Sequence, residues 1–199
     1  MKIRLKIMII CLCIFLTGCF HSNKYMGVSN KDPIHIQLAY QEMSLFAEKA
    51  KKLYNLELVK CGGGMMASID YFSMTFIGKQ QVNSDDARLI FISLSEEFIK
   101  QINQSNSLIP YLSSYPFTPK NLDLAISFEA IENPPFEDYV TNVGMFNSIS
   151  KTSSVTVLYG RYRPETGRIE AVLDESYERA IGIVEHQKNL ESQWICPTS

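Results

Sequence analysis

The chain alternates between two hydrophobic periods, and the switches between them mark its elements. Asp32-Pro33 reads as a capping residue followed by proline at the first helical position. From there Ile36, Tyr40, Met43, Phe46, Ala47, Ala50 and Leu53 recur at helical spacing, while Glu42, Glu48, Lys51 and Lys52 fall elsewhere. This predicts an amphipathic helix to about Tyr54. Leu56 to Lys60 alternates like a short strand that Gly62-Gly63-Gly64 breaks. Ile69 to Ile77 follows with Phe72, Met74 and Phe76 on one face, and the two strands are expected to pair across the glycines. Asn83-Ser84-Asp85-Asp86 then supplies a cap and two acids for a first turn. Ala87, Ile90, Phe91, Leu94, Phe98 and Ile102 form the apolar stripe of a second helix.

Beyond a proline-rich loop, Leu122, Leu124, Ile126, Phe128 and Ala130 alternate with polar residues until Pro134-Pro135 stops the strand. Val155–Tyr162 and Arg168–Leu173 flank Pro164-Glu165-Thr166-Gly167, which has the residues of a hairpin turn. Val140 to Phe146 is not assigned. Tyr177, Ala180, Ile181 and Val184 mark a third helix entered near Asp174, with His186 and Lys188 near its end. The order α-β-β-α-β-β-β-α predicts one α+β domain. Its expected form is an antiparallel sheet of about five strands with three helices mainly on one face.

The N-terminus has a different pattern. Lys2, Arg4 and Lys6 precede an apolar run from Ile7 to Leu16, the order of a secretory signal, and the run is too short to span ~30 Å of hydrocarbon. Leu16-Thr17-Gly18-Cys19 resembles the lipobox of bacterial lipoproteins. The resemblance implies that residues 1–18 are a signal peptide cut before Cys19. It implies that Cys19 carries a diacylglyceryl thioether and an amide-linked acyl chain such as palmitate. Phe20 and His21 follow, not the aspartate that keeps many such proteins in the inner membrane, so the resemblance points to the outer membrane of a Gram-negative cell. An ordinary signal peptidase site is the alternative. Residues 19–31 read as a tether and 32–199 as the globular domain. Cys61-Gly62-Gly63-Gly64-Met65-Met66 and the stretch from Tyr111 to Lys120 are similar to segments of small uncharacterised bacterial lipoproteins. That similarity brings no activity with it.

Charge narrows the partners. Loss of Lys2, Arg4 and Lys6 with the signal moves the formal net charge from −2 to about −5. A mildly acidic chain without a basic face gives no reason to expect nucleic acid. The expected partners are the membrane, through Cys19, and an envelope protein or polymer.

Candidate chemistry is sparse. Once Cys19 is lipidated, Cys61 and Cys196 are the remaining extracytoplasmic cysteines, and a disulfide between them is expected. Two separately buried thiols are the alternative. Cys61 beside three glycines could also serve as a nucleophile near an anion-binding nest, whereas glycines after a strand more simply make a turn. His21, His35 and His186 have no spacing that would place two imidazoles on one metal, and no cofactor is implied. Glu96-Glu97 read as solvated charges. Glu129, Glu132, Glu137 and Asp138 form an acidic patch without a calcium-loop pattern. The loop from Leu108 to Phe117 is the candidate binding surface, through Tyr111, Tyr115 and Phe117. In the competing reading, those aromatics cover the end of the sheet. The expected function is therefore a lipid-anchored envelope protein that binds or builds and does not catalyse. An envelope hydrolase using Cys61 or a carboxylate site is the alternative.

Overall fold

The computed structural model describes residues 28–129, 138–147 and 154–195, the side chains of 191–195 apart. Among the described residues, three α-helices and eight strands follow one another. Helix α1 spans Ile34–Tyr54, α2 Ser84–Gln104 and α3 Tyr177–Ile195. The strands are β1 (Leu56–Gly64), β2 (Tyr71–Gly78), β3 (Val82–Asn83), β4 (Leu122–Phe128), β5 (Tyr139–Val140), β6 (Asn142–Phe146), β7 (Thr156–Arg163) and β8 (Arg168–Ser176). The main sheet has six strands in the order β1-β2-β4-β6-β7-β8, and β3 pairs with β5 in a small antiparallel ribbon.

The fold is α+β, but the sheet is mixed where an antiparallel one was expected. β2 and β4 run parallel, with Phe72 opposite Leu122 and Phe76 opposite Ile126. Parallel neighbours need a long crossover, and α2 is that crossover. The sixth strand is β6, the stretch that the hydrophobic pattern left unassigned. Its inward residues, Val143 and Met145, are separated by Gly144, so only a short apolar alternation marks it.

Local signals account for the helix ends. Asn83 caps α2 by accepting from the Asp86 N–H at 2.7 Å. α1 begins one residue later than its sequence suggests. Pro33 occupies the N-cap position, and the Asp32 carboxylate instead accepts from the Ser29 N–H at 2.7 Å. Asn55, left-handed at φ 54°, closes the other end, a conformation that asparagine tolerates better than most residues. β1 runs through its glycines and does not stop at Lys60. A Cβ on Gly63 would collide with the Tyr71 carbonyl oxygen, so glycine there permits the close approach of β2.

All three helices cover one face of the sheet. Phe72, Met74 and Phe76 of β2, Leu122, Leu124 and Ile126 of β4, and Val157 and Tyr159 of β7 are buried beneath them. At the centre, the Phe98 ring of α2 meets Phe46, Phe72 and Phe117 at centroid distances of 4.9, 5.2 and 6.5 Å. α2 is the middle helix and is buried on two sides, since Arg88, Ile92, Ser95 and Ile99 add a second inward stripe. α1 flanks it through the Lys49–Glu97 ion pair and through Gln101 Nε2, which donates to Glu42 Oε2 at 2.8 Å. α3 flanks the other side, with Ser95 Oγ and Tyr177 Oη 2.7 Å apart.

Both edges of the sheet are bulged. β1 carries Val59 as an extra residue between Leu58 and Lys60, and β8 carries Val172 between Ala171 and Leu173. A bulge increases local twist and spoils the flat template that an open edge offers to another strand.

Candidate functional site

The described residues among those singled out by sequence do not converge. Cys19 and Cys196 lie outside the described residues. Among the described residues Cys61 has no disulfide partner, and it is half-buried on the helix side of β1 opposite Met74. Burial pushes its pKa up, and Tyr40 of α1 feels its charge. A thiol so placed is held away from the thiolate that nucleophilic chemistry needs.

The loop from Leu108 to Phe117 divides its aromatics among three environments. Phe117 is core, against Phe72 at 5.5 Å, and its backbone N–H and C=O are both bonded by the Asn103 side chain. Tyr111 stacks on His35 at 6.0 Å between centroids. Tyr115 alone of the three stands in solvent, 60% exposed. His35 Nε2 lies 3.0 Å from the Met65 carbonyl oxygen, joining α1 to the loop after the glycines. Glu96 and Glu97 are not merely solvated. Glu96 accepts from Tyr177 Oη at 2.8 Å, and Glu97 pairs with Lys49. Of the acidic patch, Glu132 and Glu137 lie outside the described residues, and Asp138 accepts from Ser84 Oγ at 3.0 Å. Among the described residues, no group of three or more histidines, cysteines, aspartates or glutamates is placed to hold a metal.

Two arrangements escaped the sequence reading. The first is a buried polar cluster joining α2, β7 and β8. Arg88 donates through Nε to Glu175 Oε1 at 2.6 Å, and Tyr159 Oη donates to the same oxygen at 2.7 Å. Arg88 also pairs with Asp85, and its guanidinium carbon sits 5.7 Å from the centre of the Tyr159 ring. Burial opposes the Arg88 charge, yet its bonds to Glu175 and Asp85 outweigh that cost and hold its pKa above the ordinary value. Burial, reinforced by Glu175, drives the Tyr159 hydroxyl far above its usual range. These partners satisfy one another, and the cluster reads as a clamp rather than a reactive site.

The second is the helix-free face of the sheet. Ile77, Phe146, Leu158, Tyr162 and Ile169 all stand at least partly in solvent there. Between β6, β7 and β8 lies an apolar hollow of about 300 Å³, floored by Ala125, Gly144, Gly160 and Ala171. Phe146 and Ile169 bend over the two glycines, where a Cβ would meet their side chains. One signal was present: Val157-Leu158-Tyr159 is an unbroken apolar triplet, which puts apolar side chains on both faces of a strand. A second groove of about 420 Å³, between α1 and α2, is lined by polar residues that include Glu42, Lys49, Glu97 and Gln101, already bonded to one another.

Comparison with known proteins finds no matching family model, no similar curated protein and no similar solved structure.

Proposed function

We propose that this chain is a lipid-anchored protein of the cell envelope whose domain works by binding an apolar segment of a partner protein. The observation that carries the binding reading is the apolar hollow on the helix-free face, ringed by Phe146, Leu158 and Ile169. Exposed apolar side chains scattered singly need no explanation, but a ring of them around a concavity on one sheet face is what interaction sites look like. The lining favours protein side chains over a carbohydrate polymer, whose hydroxyl groups would lose water without gaining partners. The anchoring half rests on the basic start, the short apolar run and Leu16-Thr17-Gly18-Cys19. Among the described residues no helix is long and apolar enough to cross a membrane. A thiol hydrolase draws less support, because burial holds the Cys61 pKa up.

The test is position-specific crosslinking in the intact envelope. A photoreactive side chain at Leu158 should capture one protein, whereas the same group at Glu48, on the outer side of α1, should not. Ile169→Glu, at an exposed position, should abolish the adduct without lowering the melting temperature. Equal labelling from both positions, or an adduct indifferent to Ile169→Glu, would contradict the reading.

A further inference from the structure

The end of the domain at which α1 begins carries its own exposed apolar group, distinct from the sheet face. Three segments meet there. The β1–β2 loop is tied to α1 by His35 and the Met65 carbonyl oxygen. The loop after α2 is tied to the β1–β2 loop by the Ile69 N–H, which donates to the Tyr111 carbonyl at 2.8 Å. Asn121 Nδ2 completes the link, reaching Ser114 Oγ at 3.1 Å and the Asp70 carbonyl at 3.0 Å. Each segment presents one apolar side chain to solvent: Ile34 at 53% exposure, Met66 at 94% and Tyr115 at 60%. Met66 stands out, since a methionine so exposed at a loop tip contributes nothing to the core. Lys31 and Lys120 offset Asp32 and Asp70, so this end carries no strong charge of either sign.

The chain that precedes α1 says what this end faces. Residues 29–32 form a turn fixed to the helix. The Asp32 N–H donates to the Ser29 carbonyl at 2.9 Å, and Gln37 Nε2 donates to the Asp32 carbonyl at 2.7 Å. Nine residues, 20–28, separate Cys19 from this turn. Fully extended, such a segment reaches about 30 Å, and as a random coil it averages about 17 Å. α1 alone, at 21 residues, is about 32 Å long. Attachment through so few residues enters the domain at the α1 N-terminal end, which is therefore the end nearest the lipid when the tether is unstretched.

We propose that Ile34, Met66 and Tyr115 form a membrane-contact patch that seats the domain end-on against the phospholipid interface. The proposal rests on Cys19 carrying the lipid. Tyrosine suits the headgroup level, with an apolar ring and a polar tip, and the two aliphatic side chains reach beyond it. Seated so, the sheet stands up from the membrane and its helix-free face stays open to a partner.

The test uses the full processed protein, purified from membranes and reconstituted into phosphatidylethanolamine–phosphatidylglycerol vesicles containing brominated lipid. Trp194, the single tryptophan, is removed as Trp194→Phe. Probes are then introduced one at a time as Met66→Trp, Tyr115→Trp and Leu53→Trp, the last at the far end of α1. Met66→Trp and Tyr115→Trp should be blue-shifted and quenched severalfold more than Leu53→Trp. Protein that has the lipid mass and floats with vesicles, but quenches equally at all three positions, overturns the patch and leaves the anchor standing. Protein that lacks the lipid mass and does not float overturns both. All three probe positions are exposed, so the variants should fold, and unchanged circular dichroism checks this.

Discussion

Arg88 of α2 and Glu175 of β8 meet at 2.6 Å with their side chains only 7% and 2% exposed, joining the central helix to the edge strand of the sheet. Elsewhere β8 is almost entirely in solvent, so this ion pair is a principal inward hold on that strand. Tyr159 adds a second hydrogen bond to the same carboxylate and lies beneath the guanidinium. Buried pairs of this kind gain little over a well-packed apolar replacement, but losing one partner strands the other charge.

Arg88→Met should therefore destabilise the domain by about 3–5 kcal/mol, because Glu175 would be left with only the Tyr159 hydroxyl. The double variant Arg88→Met, Glu175→Leu should recover much of that loss. Urea melts of the two single variants and the double variant check this. A double variant no more stable than Arg88→Met would show that the clamp is not a coupled unit.

Stability should fall on the alkaline side. Burial raises Tyr159, and with Glu96 nearby it raises Tyr177, above the ordinary tyrosine value of 10.0. Cys61 is raised by burial above 9.0. A raised folded-state pKa means that the unfolded chain releases its proton first. Their contribution is thus complete below about pH 9 and declines as pH climbs through 9 to 10 and beyond. Denaturant midpoints measured from pH 7 to 11 should stay flat across the neutral range as far as these groups are concerned, then drop. Tyr159→Phe should make the drop shallower, and an unchanged slope would contradict the buried hydroxyl.

The aromatic centre offers a packing test. Phe98 touches rings from α1, β2 and the loop before β4, so Phe98→Ala should cost about 3–5 kcal/mol. Glu97→Ala, one residue away but in an exposed ion pair, should change stability by no more than about 1 kcal/mol. Comparable effects at the two positions would mean that the helix is rotated from the orientation described.

Cys61 separates packing from redox chemistry. If it is unbridged, its half-buried position and raised pKa should make it react slowly with maleimide at neutral pH in the folded protein and rapidly once the chain is unfolded. Fast reaction in the folded state would contradict its placement beneath α1. Protection that survives unfolding and yields only to reductant would put it in the expected bridge to Cys196.

The sequence made the helices and most strands legible because each carries one clean period. The cap at Asn83, the stripe from Ala87 to Ile102, and the hairpin around Pro164–Gly167 are local signals and appear where expected. Strand direction is not local. Nothing in Leu122–Phe128 reveals that it lies parallel to β2, since that follows from α2 crossing the sheet between them. The apolar hollow was hidden for a related reason. Gly144, Leu158 and Ile169 come from three strands, and only the register brings them together. The loop aromatics left two readings open because proline stiffness and aromatic content look the same in a docking loop and in a lid over the core. Phe117 belongs to the lid and Tyr115 to the surface.

The intact mass of the protein extracted from membranes decides the lipid anchor. The predicted species begins at Cys19, carries the mass of a diacylglyceryl group and an acyl chain, and is replaced in Cys19→Ser by an unlipidated precursor that retains residues 1–18. A chain that begins elsewhere without lipid mass, or a Cys19→Ser variant processed and fractionated as the unaltered protein is, would contradict it.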